Sequence, residues 1–144
     1  MHALPIPALP CLCASLRRAS RALTQRYDDA LRPLDLTITQ FTLLQALSLT
    51  GEVTQNRLGD ILAMDSTTLT RTLAIMRRHG WVASRPGSDR RERWLRLSKS
   101  GELEFSRATP HWEQAQAAVR AQLGEKRWNN LMNLANHVAS GATE

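Results

Sequence analysis

Seven arginines lie between positions 77 and 96 of this sequence, just after a run of hydroxyl side chains. They are Arg77, Arg78, Arg85, Arg90, Arg91, Arg93 and Arg96, and the same segment has only Asp89 and Glu92 as acids. The run that precedes them contains Ser66, Thr67, Thr70 and Arg71. Guanidinium groups bind phosphate oxygens and guanine edges, and hydroxyl groups hydrogen-bond to both. These residue types therefore favour binding to a polyanion, and a solvated charged face is the alternative.

A second chemically distinctive pair is Cys11 and Cys13. Arg17 and Arg18 follow one helical turn later, and a helix N-terminus with cations nearby favours the thiolate form of Cys13. A thiolate can be oxidised to a sulfenic acid and captured by another cysteine. If both cysteines are helical, they point about 200° apart and cannot bridge each other, so a bond between protomers is easier. A Cys-x-Cys chelate for a soft metal or metalloid ion, and simple apolar packing, remain open alternatives.

The composition limits the class of protein. A chain of 144 residues fits one domain of ordinary size, and 19 Lys and Arg against 13 Asp and Glu give a net charge of +6, which suits a nucleic-acid partner. Two cysteines are too few for a secreted disulfide framework, and the proline-containing first ten residues lack a basic leader or continuous apolar run. We therefore expect a cytoplasmic protein without a membrane segment. The four histidines lack ligand spacing and no Ser, His and Asp arrangement is present, so we expect no enzyme, no metal site and no cofactor.

Helical patterns account for the first part of the chain. Apolar residues recur at every third or fourth position over residues 11–31, and Pro33 limits how far this helix can run. Thr37 and Gln40 have the spacing of a capping box at the start of a second helix, which should end near Gly51. The sequence therefore predicts two amphipathic helices before residue 52.

Two further helices follow, and the second of them has an unusual polar side. Thr54 can cap a short third helix over residues 55–64, and Asp65 can cap a fourth helix that Gly80 stops. Apolar residues of the fourth helix fall on one side, at Leu69, Leu73 and Met76. Its opposite side has Ser66, Thr67, Thr70 and Arg71 in place of the usual Lys and Glu of a wet surface. That composition indicates a binding face.

The period changes after Gly80. Residues 81–85 and 93–98 are short runs rich in aromatic and large apolar side chains, and strong turn formers separate them. This pattern predicts a β-hairpin with a basic tip. Asp89 lies within that tip, where its carboxylate can hold a neighbouring arginine in one orientation.

The last part of the chain is predicted to be helical and to mediate dimerisation. Ser98 or Ser100 can begin a long helix, and Gly124 separates it from a final helix. Trp112, Trp128 and the apolar stripe of these helices exceed what a winged-helix core of about 70 residues needs to cover. Two chains can bury these stripes together as a homodimer, and the alternative is that the helices fold back on their own domain.

The order of these elements is that of a winged helix-turn-helix. The predicted fold is mainly α with a small β-hairpin wing, and terminal helices form a dimerisation domain. We expect residues 1–34 to form an N-terminal arm and first helix used in dimerisation, residues 35–98 to form the winged helix-turn-helix DNA-binding region, and residues 99–144 to form C-terminal dimerisation helices. In this arrangement Arg71 can read a guanine edge in the major groove of double-stranded DNA, and hairpin arginines can reach phosphates or the minor groove. The hydroxyls are expected to bind phosphates.

Three segments of the chain carry a family resemblance: LTITQFTLLQAL, QNRLGDILAMDSTTLTRTLAIMRRHGWV and SDRRERWLRLSKSGE. The third has an Asp-x-Arg wing core and a strand-to-helix ending L-S-x-x-G. In this order and spacing, the segments resemble the MarR family of bacterial transcriptional regulators from about Cys11 onward. The resemblance implies a homodimer with interlocked terminal helices, two winged helices spaced for a palindromic operator, and repression relieved by a small ligand or an oxidant.

The resemblance also implies roles for individual residues. It places Ser66, Thr67, Thr68, Thr70 and Arg71 on the recognition helix and makes Arg91 the minor-groove arginine braced by Asp89. Arg77 and Arg90 of the basic segment complete the candidate DNA-binding set. In the family's organic-hydroperoxide sensors, the reactive cysteine corresponds to Cys13 and one thiolate-bonding tyrosine to Tyr27. Arg17 and Ile38 occupy the approximate places of the other two tyrosines. A cleft between the winged helix and the dimer helices is the implied site for small aromatic or phenolic inducers.

The sequence thus predicts a dimeric, sequence-specific DNA-binding regulator. We expect a repressor that leaves a palindromic operator upon thiol oxidation, with Cys11, Cys13 and Tyr27 as the candidate redox site, or upon binding a small ligand. A metal- or metalloid-responsive regulator using Cys11 and Cys13 is one alternative. A non-specific architectural DNA-binding protein is the other, because charge alone suffices for such binding.

Overall fold

The structure is a computed structural model that describes residues 7–141. Within that range six α-helices, three strands and one 3₁₀ turn (Arg32–Leu34) follow one another. The helices are α1 (Leu12–Leu31), α2 (Ile38–Thr50), α3 (Gln55–Leu62), α4 (Ser66–Arg78), α5 (Lys99–Leu123) and α6 (Glu125–Gly141), and the strands are β1 (Val53–Thr54), β2 (Val82–Pro86) and β3 (Arg93–Leu97). The predicted mainly helical fold with a small β wing is confirmed. None of the helices described is both long and apolar enough to cross a membrane.

Side-chain caps begin the helices where the sequence predicted them. The Thr37 hydroxyl accepts from the backbone N–H of Gln40 at 3.2 Å, and the Gln40 side chain accepts from the Thr37 N–H at 3.1 Å, which completes a capping box. Ser98 caps α5 by accepting from the N–H of Gly101 at 3.0 Å. One boundary differs from the prediction: α3 ends at Leu62 and not at residue 64, because Ala63 adopts a left-handed backbone with φ 50°.

The sheet has one more strand than the predicted hairpin. Strands β2 and β3 pair antiparallel, with Val82 opposite Leu97 at one end of the ladder. Strand β1 pairs with the other edge of β3, where Val53 faces Leu95. A two-residue strand has no readable alternation of polar and apolar positions, so the sequence pattern missed it. Its effect is to attach the base of the wing to the loop that follows α2.

The core forms around α2. Phe41 is fully buried, and its ring lies 5.5 Å from that of Phe105 and 5.4 Å from that of Trp112, measured between centroids. Leu44 of α2 and leucines of the surrounding elements close this core, and all are fully or almost fully buried; the surrounding ones are Leu31, Leu58, Leu73 and Leu95. Trp112 therefore packs against its own chain. The prediction that Trp112 is surplus to the winged-helix core is corrected by this contact.

Helices α1 and α6 each leave large apolar side chains exposed. No residue of α6 is buried, and four of its large apolar side chains are between 44% and 61% exposed, at Leu131, Met132, Leu134 and Val138. On α1, Leu12 and Leu16 are likewise exposed. A single chain thus leaves two apolar helix faces in water, which is costly unless a partner covers them.

Candidate nucleic-acid interface

Helix α4 begins with an ionised cap. The carboxylate of Asp65 accepts from the backbone N–H of Thr68 at 2.8 Å and from the Thr68 hydroxyl at 2.9 Å. These two hydrogen bonds, the backbone one first, hold the pKa of Asp65 below its usual range. A lowered pKa means that the cap is complete at neutral pH and is lost only as the pH falls through that lowered value.

The two sides of α4 have separate tasks. Leu69, Leu73 and Met76 are buried against the core, as the periodicity predicted. The residues predicted to face a ligand, Ser66, Thr67, Thr68, Thr70 and Arg71, are all exposed. Among residues 7–141, neither Arg71 nor the exposed Arg77 takes part in an ion pair. Their guanidinium groups are therefore available to an external anion.

Helix α3 contacts the exposed side of α4 through one side chain. The amide Nε2 of Gln55 donates to the hydroxyl of Thr70 at 3.2 Å. Gln55 is the first residue of α3, so this bond fixes the start of one helix to the middle of the other. Sequence reasoning missed Gln55, because fifteen positions separate it from its partner and no local motif marks the pair.

Arg85 of β2 stabilises the base of the wing through contacts within the chain. Arg85 forms two hydrogen bonds with the carboxylate of Glu52, at 2.6 and 3.1 Å, and its guanidinium lies 5.2 Å from the centre of the Trp94 ring. The hydrogen bonds from Arg85 lower the pKa of Glu52. Arg85 is thus paired within the chain, and Glu52 is a supporting residue that the sequence pattern did not reveal.

The wing tip presents two arginines on a braced turn. The side chain of Asp89 accepts from the backbone N–H of Arg91 at 3.2 Å, and the Asp89 carbonyl accepts from the N–H of Glu92 at 3.0 Å. The sequence analysis expected Asp89 to hold a neighbouring arginine in one orientation, and the contact that the structure gives is with the backbone of Arg91. Arg90 and Arg91 are exposed and form no ion pair in the described part of the chain.

A tight junction connects α4, the wing and α5. The hydroxyl of Ser98 donates to the carbonyl of Gly80 at 2.5 Å, and the Ser98 N–H donates to the carbonyl of Trp81 at 2.9 Å. A Cβ atom at Gly101 would lie 2.1 Å from the Trp81 carbonyl oxygen. The Ser-x-x-Gly spacing in the sequence therefore marks a place where helix α5 begins against the start of β2.

The two cysteines differ in their backbone setting, and both are exposed. Cys11 lies before α1 with an extended backbone (φ −86°, ψ 119°), and its sulfur accepts from the N–H of Ala14 at 3.5 Å. Cys13 lies within the first turn of α1. The sequence analysis excluded a disulfide between Cys11 and Cys13 only for the case in which both lie in a helix. Because Cys11 is not helical, that exclusion does not apply.

Tyr27 is far from Cys13 within one chain. Fourteen residues of α1 separate them, which corresponds to about 21 Å along the helix axis. The Tyr27 hydroxyl instead donates to the side-chain oxygen of Gln116 on α5, and burial raises the pKa of Tyr27. One chain does not assemble the predicted cysteine and tyrosine site. Across residues 7–141, no group of three or more His, Cys, Asp or Glu side chains is arranged to hold a metal ion.

Two larger cavities lie away from α4. An apolar groove of about 620 Å³ runs between α1, α5 and α6, with Leu23, Tyr27 and Leu131 among its lining residues. A mixed cleft of about 610 Å³ lies between the end of α2, β3 and α5, where Phe105 and Glu113 contribute to its wall. The second lies between the winged helix and α5. The binding of small inducers between the winged helix and the dimer helices stays a prediction.

Comparison with known proteins gives a consistent result. Residues 34–92 match the MarR family. The chain is similar to the M. tuberculosis transcriptional regulator MosR, whose crystal structure was determined in complex with DNA. The two chains are 38% identical in sequence and superpose with a TM-score of 0.83, over 92% of this chain and 96% of that MosR chain. Among curated relatives, the uncharacterized HTH-type regulator YwoH of Bacillus subtilis is 29% identical over 65% of this chain and 69% of YwoH. The organic hydroperoxide resistance transcriptional regulator of the same species is 32% identical over 64% of this chain and 63% of that protein.

Proposed function

Because the chain belongs to the MarR family of DNA-binding transcriptional regulators, which are not enzymes, we propose that it is a homodimeric repressor of a palindromic operator. The observation that carries this proposal is the exposed polar face of α4, flanked by a basic wing tip. The guanidinium groups of Arg71 on that face and of Arg91 on the wing form no ion pair within residues 7–141. The proposed site is the cytoplasm, where the duplex DNA lies.

In the proposed complex, α4 enters the major groove and the wing tip reaches the adjacent minor groove. Arg71 reads a guanine through two hydrogen bonds, and Arg91 lies in or along the minor groove. Residues 35–98 supply this DNA-binding unit, and the helices within 1–34 and 99–144 join the two protomers. The resulting two-fold axis sets the spacing of the two half-sites.

Arg71→Ala and Arg91→Ala should weaken DNA binding in different ways. Loss of Arg71 should cost about 1 to 3 kcal/mol and relax the base preference at one position in each half-site. Loss of Arg91 should weaken binding to all sequences and reduce the slope of affinity against salt by about one unit per half-site. Sequence selection and salt titration of binding measure the two effects.

The matched control is Arg127→Ala, which removes the same charge from α6, away from the proposed DNA-binding face of α4 and the wing. It should leave the base preference unchanged. If Arg71→Ala retains the full preference of the unmodified protein in the selection experiment, α4 does not read the DNA as proposed.

Two observations support the homodimer. The groove between α1, α5 and α6 is lined mostly by apolar side chains, and the adjoining face of α6 is uncovered. A second copy of the chain offers the same faces, so a two-fold pairing can bury both sets at once.

The proposed trigger is oxidation of a cysteine thiol. Both thiols are exposed, and Cys13 lies within the first turn of α1. The similarity to an organic hydroperoxide resistance regulator supports the same class of signal. A metal or metalloid ion bound by Cys11 and Cys13 is the alternative that uses these residues, and a small aromatic ligand in the cleft between α2 and α5 is the alternative that does not.

Cys13→Ser should abolish release from DNA by peroxide while leaving binding in reducing buffer unchanged. The reason is that serine has the size of cysteine but cannot form a sulfenic acid or a disulfide. The measurement is a mobility shift on the DNA immediately upstream of the coding sequence, with and without organic hydroperoxide. Cys11→Ser provides the matched comparison, and a Cys13→Ser protein that still leaves the DNA under peroxide excludes Cys13 as the sensor.

A further inference from the structure

Two hydroxyl groups of α4 already take part in hydrogen bonds within the chain, and the bonds have opposite direction. The hydroxyl of Thr68 donates to the carboxylate of Asp65 at 2.9 Å. The hydroxyl of Thr70 accepts from the amide of Gln55 at 3.2 Å. Each hydroxyl has one proton and two lone pairs, so an internal bond limits what the group can offer to a second partner.

Thr68 can only accept from an external partner. An ionised carboxylate has no proton to give, so the proton between Asp65 and Thr68 comes from the threonine hydroxyl. The lowered pKa of Asp65 keeps that carboxylate ionised at neutral pH. The exposed Thr68 oxygen therefore retains only lone pairs, with which it can accept a hydrogen bond.

Thr70 has the reverse character. The amide nitrogen of Gln55 supplies the proton of their hydrogen bond, which occupies a lone pair of the Thr70 oxygen. The Thr70 proton is therefore free to point away from the protein. Exposed as it is, Thr70 presents a hydrogen-bond donor.

Both groups lie beside the centre of the outward face of α4. At about 100° per residue, Thr67 and Arg71 lie opposite the buried Leu69 and Leu73, with Thr68 roughly 80° to one side and Thr70 roughly 80° to the other. A helix that lies in a groove brings such flanking positions near the groove walls, where base edges and phosphates are within reach.

DNA offers different partners to the two groups. Phosphate oxygens only accept hydrogen bonds, whereas the only donors in the major groove are the exocyclic amino groups of adenine and cytosine. We propose that Asp65 and Gln55 are positioning residues that set opposite hydrogen-bond polarity on α4: Thr68 accepts from an adenine or cytosine amino group, and Thr70 donates to an acceptor on the DNA. This inference rests on the proposed docking of α4 in the major groove. It assigns to Thr68 a base contact, whereas the expectation of phosphate contacts was made for Ser66, Thr67 and Thr70.

Two substitutions reverse the polarity without removing either hydroxyl. In Asp65→Asn, the new amide group can donate to Thr68, which releases the Thr68 proton toward the DNA. In Gln55→Glu, the new carboxylate accepts a hydrogen bond from the Thr70 hydroxyl. Thr70 can then only accept a hydrogen bond from the DNA. Each substitution also changes the charge by one. Each substitution is therefore made twice: once in the protein that keeps the threonine, and once in a variant whose threonine is replaced by the near-isosteric valine (Thr68→Val for Asp65→Asn, Thr70→Val for Gln55→Glu). The effect of the charge change is common to the two proteins, so the difference between them reports the hydroxyl alone.

The measurement is selection of preferred duplexes, followed by affinity titration on the site that the unmodified protein selects. Asp65→Asn should weaken the preference for the selected adenine or cytosine at one position per half-site by about tenfold, and it should have no such effect on Thr68→Val. Gln55→Glu should weaken binding about tenfold more in the presence of Thr70 than in Thr70→Val. A base-specific loss in Thr70→Val identifies a base acceptor, and a uniform loss identifies a phosphate.

The outcomes separate this inference from the proposed function. A protein that selects a sharp sequence but shows purely additive effects in both cycles overturns the polarity assignment alone. A protein that selects no sequence overturns the proposed function and this inference with it. Thr68→Ser, which keeps the hydroxyl, should preserve the base preference, and circular dichroism of every variant confirms that α4 is folded.

Discussion

Gly101→Ala is expected to lower the free energy of unfolding by about 1 to 3 kcal/mol, the usual cost of forcing an extra methyl group into a filled space. The added Cβ would lie 2.1 Å from the carbonyl oxygen of Trp81. That oxygen cannot move aside freely, because it accepts from the N–H of Ser98 at 2.9 Å. Backbone must therefore shift at the junction of β2 and α5.

The sign of this effect makes the experiment decisive. Alanine in place of glycine within a helix ordinarily stabilises it, by roughly 0.5 to 1 kcal/mol. Gly59→Ala in α3 is the matched control, because a Cβ there would meet its nearest atoms at 3.4 Å, close to ordinary contact. Urea unfolding of the two variants should give changes of opposite sign. Equal stabilisation by both alanines would contradict the described junction.

Leu131→Glu is expected to weaken association of the protomers by at least a hundredfold, which corresponds to about 3 kcal/mol. Leu131 lies on α6, lines the apolar groove and is 44% exposed in the single chain. A carboxylate at this position would lose its water in the proposed dimer without gaining a partner of opposite charge. Sedimentation equilibrium at several protein concentrations measures the association directly.

Leu49→Glu is the control for that variant. Leu49 on α2 is 83% exposed and lies outside the groove, so the same substitution adds the same charge without touching the proposed interface. It should leave the oligomeric state unchanged. Because two linked half-sites bind far more tightly than one, Leu131→Glu should also lose most of its operator affinity, and Leu49→Glu should not. Equal association by both variants contradicts the assigned interface.

The parts of the fold that depend on local signals could be predicted from the sequence. The caps at Thr37, Asp65 and Ser98 each involve a partner three residues away, so their spacing is visible in the chain itself. The buried and exposed sides of α4 follow from its helical period for the same reason. Local signals thus sufficed to locate the helices and the exposed face of α4.

The contacts that orient the site could not be predicted in this way. Glu52 and Arg85 are thirty-three positions apart, and Gln55 and Thr70 are fifteen apart, so only the tertiary fold brings each pair together. The direction of the hydrogen bond at each hydroxyl depends on these partners. The face of α4 was therefore predictable as a binding surface, whereas the chemistry of its individual groups was not.

The most direct test of the account is the footprint and stoichiometry of the protein on the duplex that it selects from random sequence. The account predicts one protected site with two-fold symmetry, half-sites about one helical turn apart, and two chains bound per duplex. One chain per duplex, or equal affinity for every sequence tried, would contradict the proposal of a dimer that reads DNA with α4.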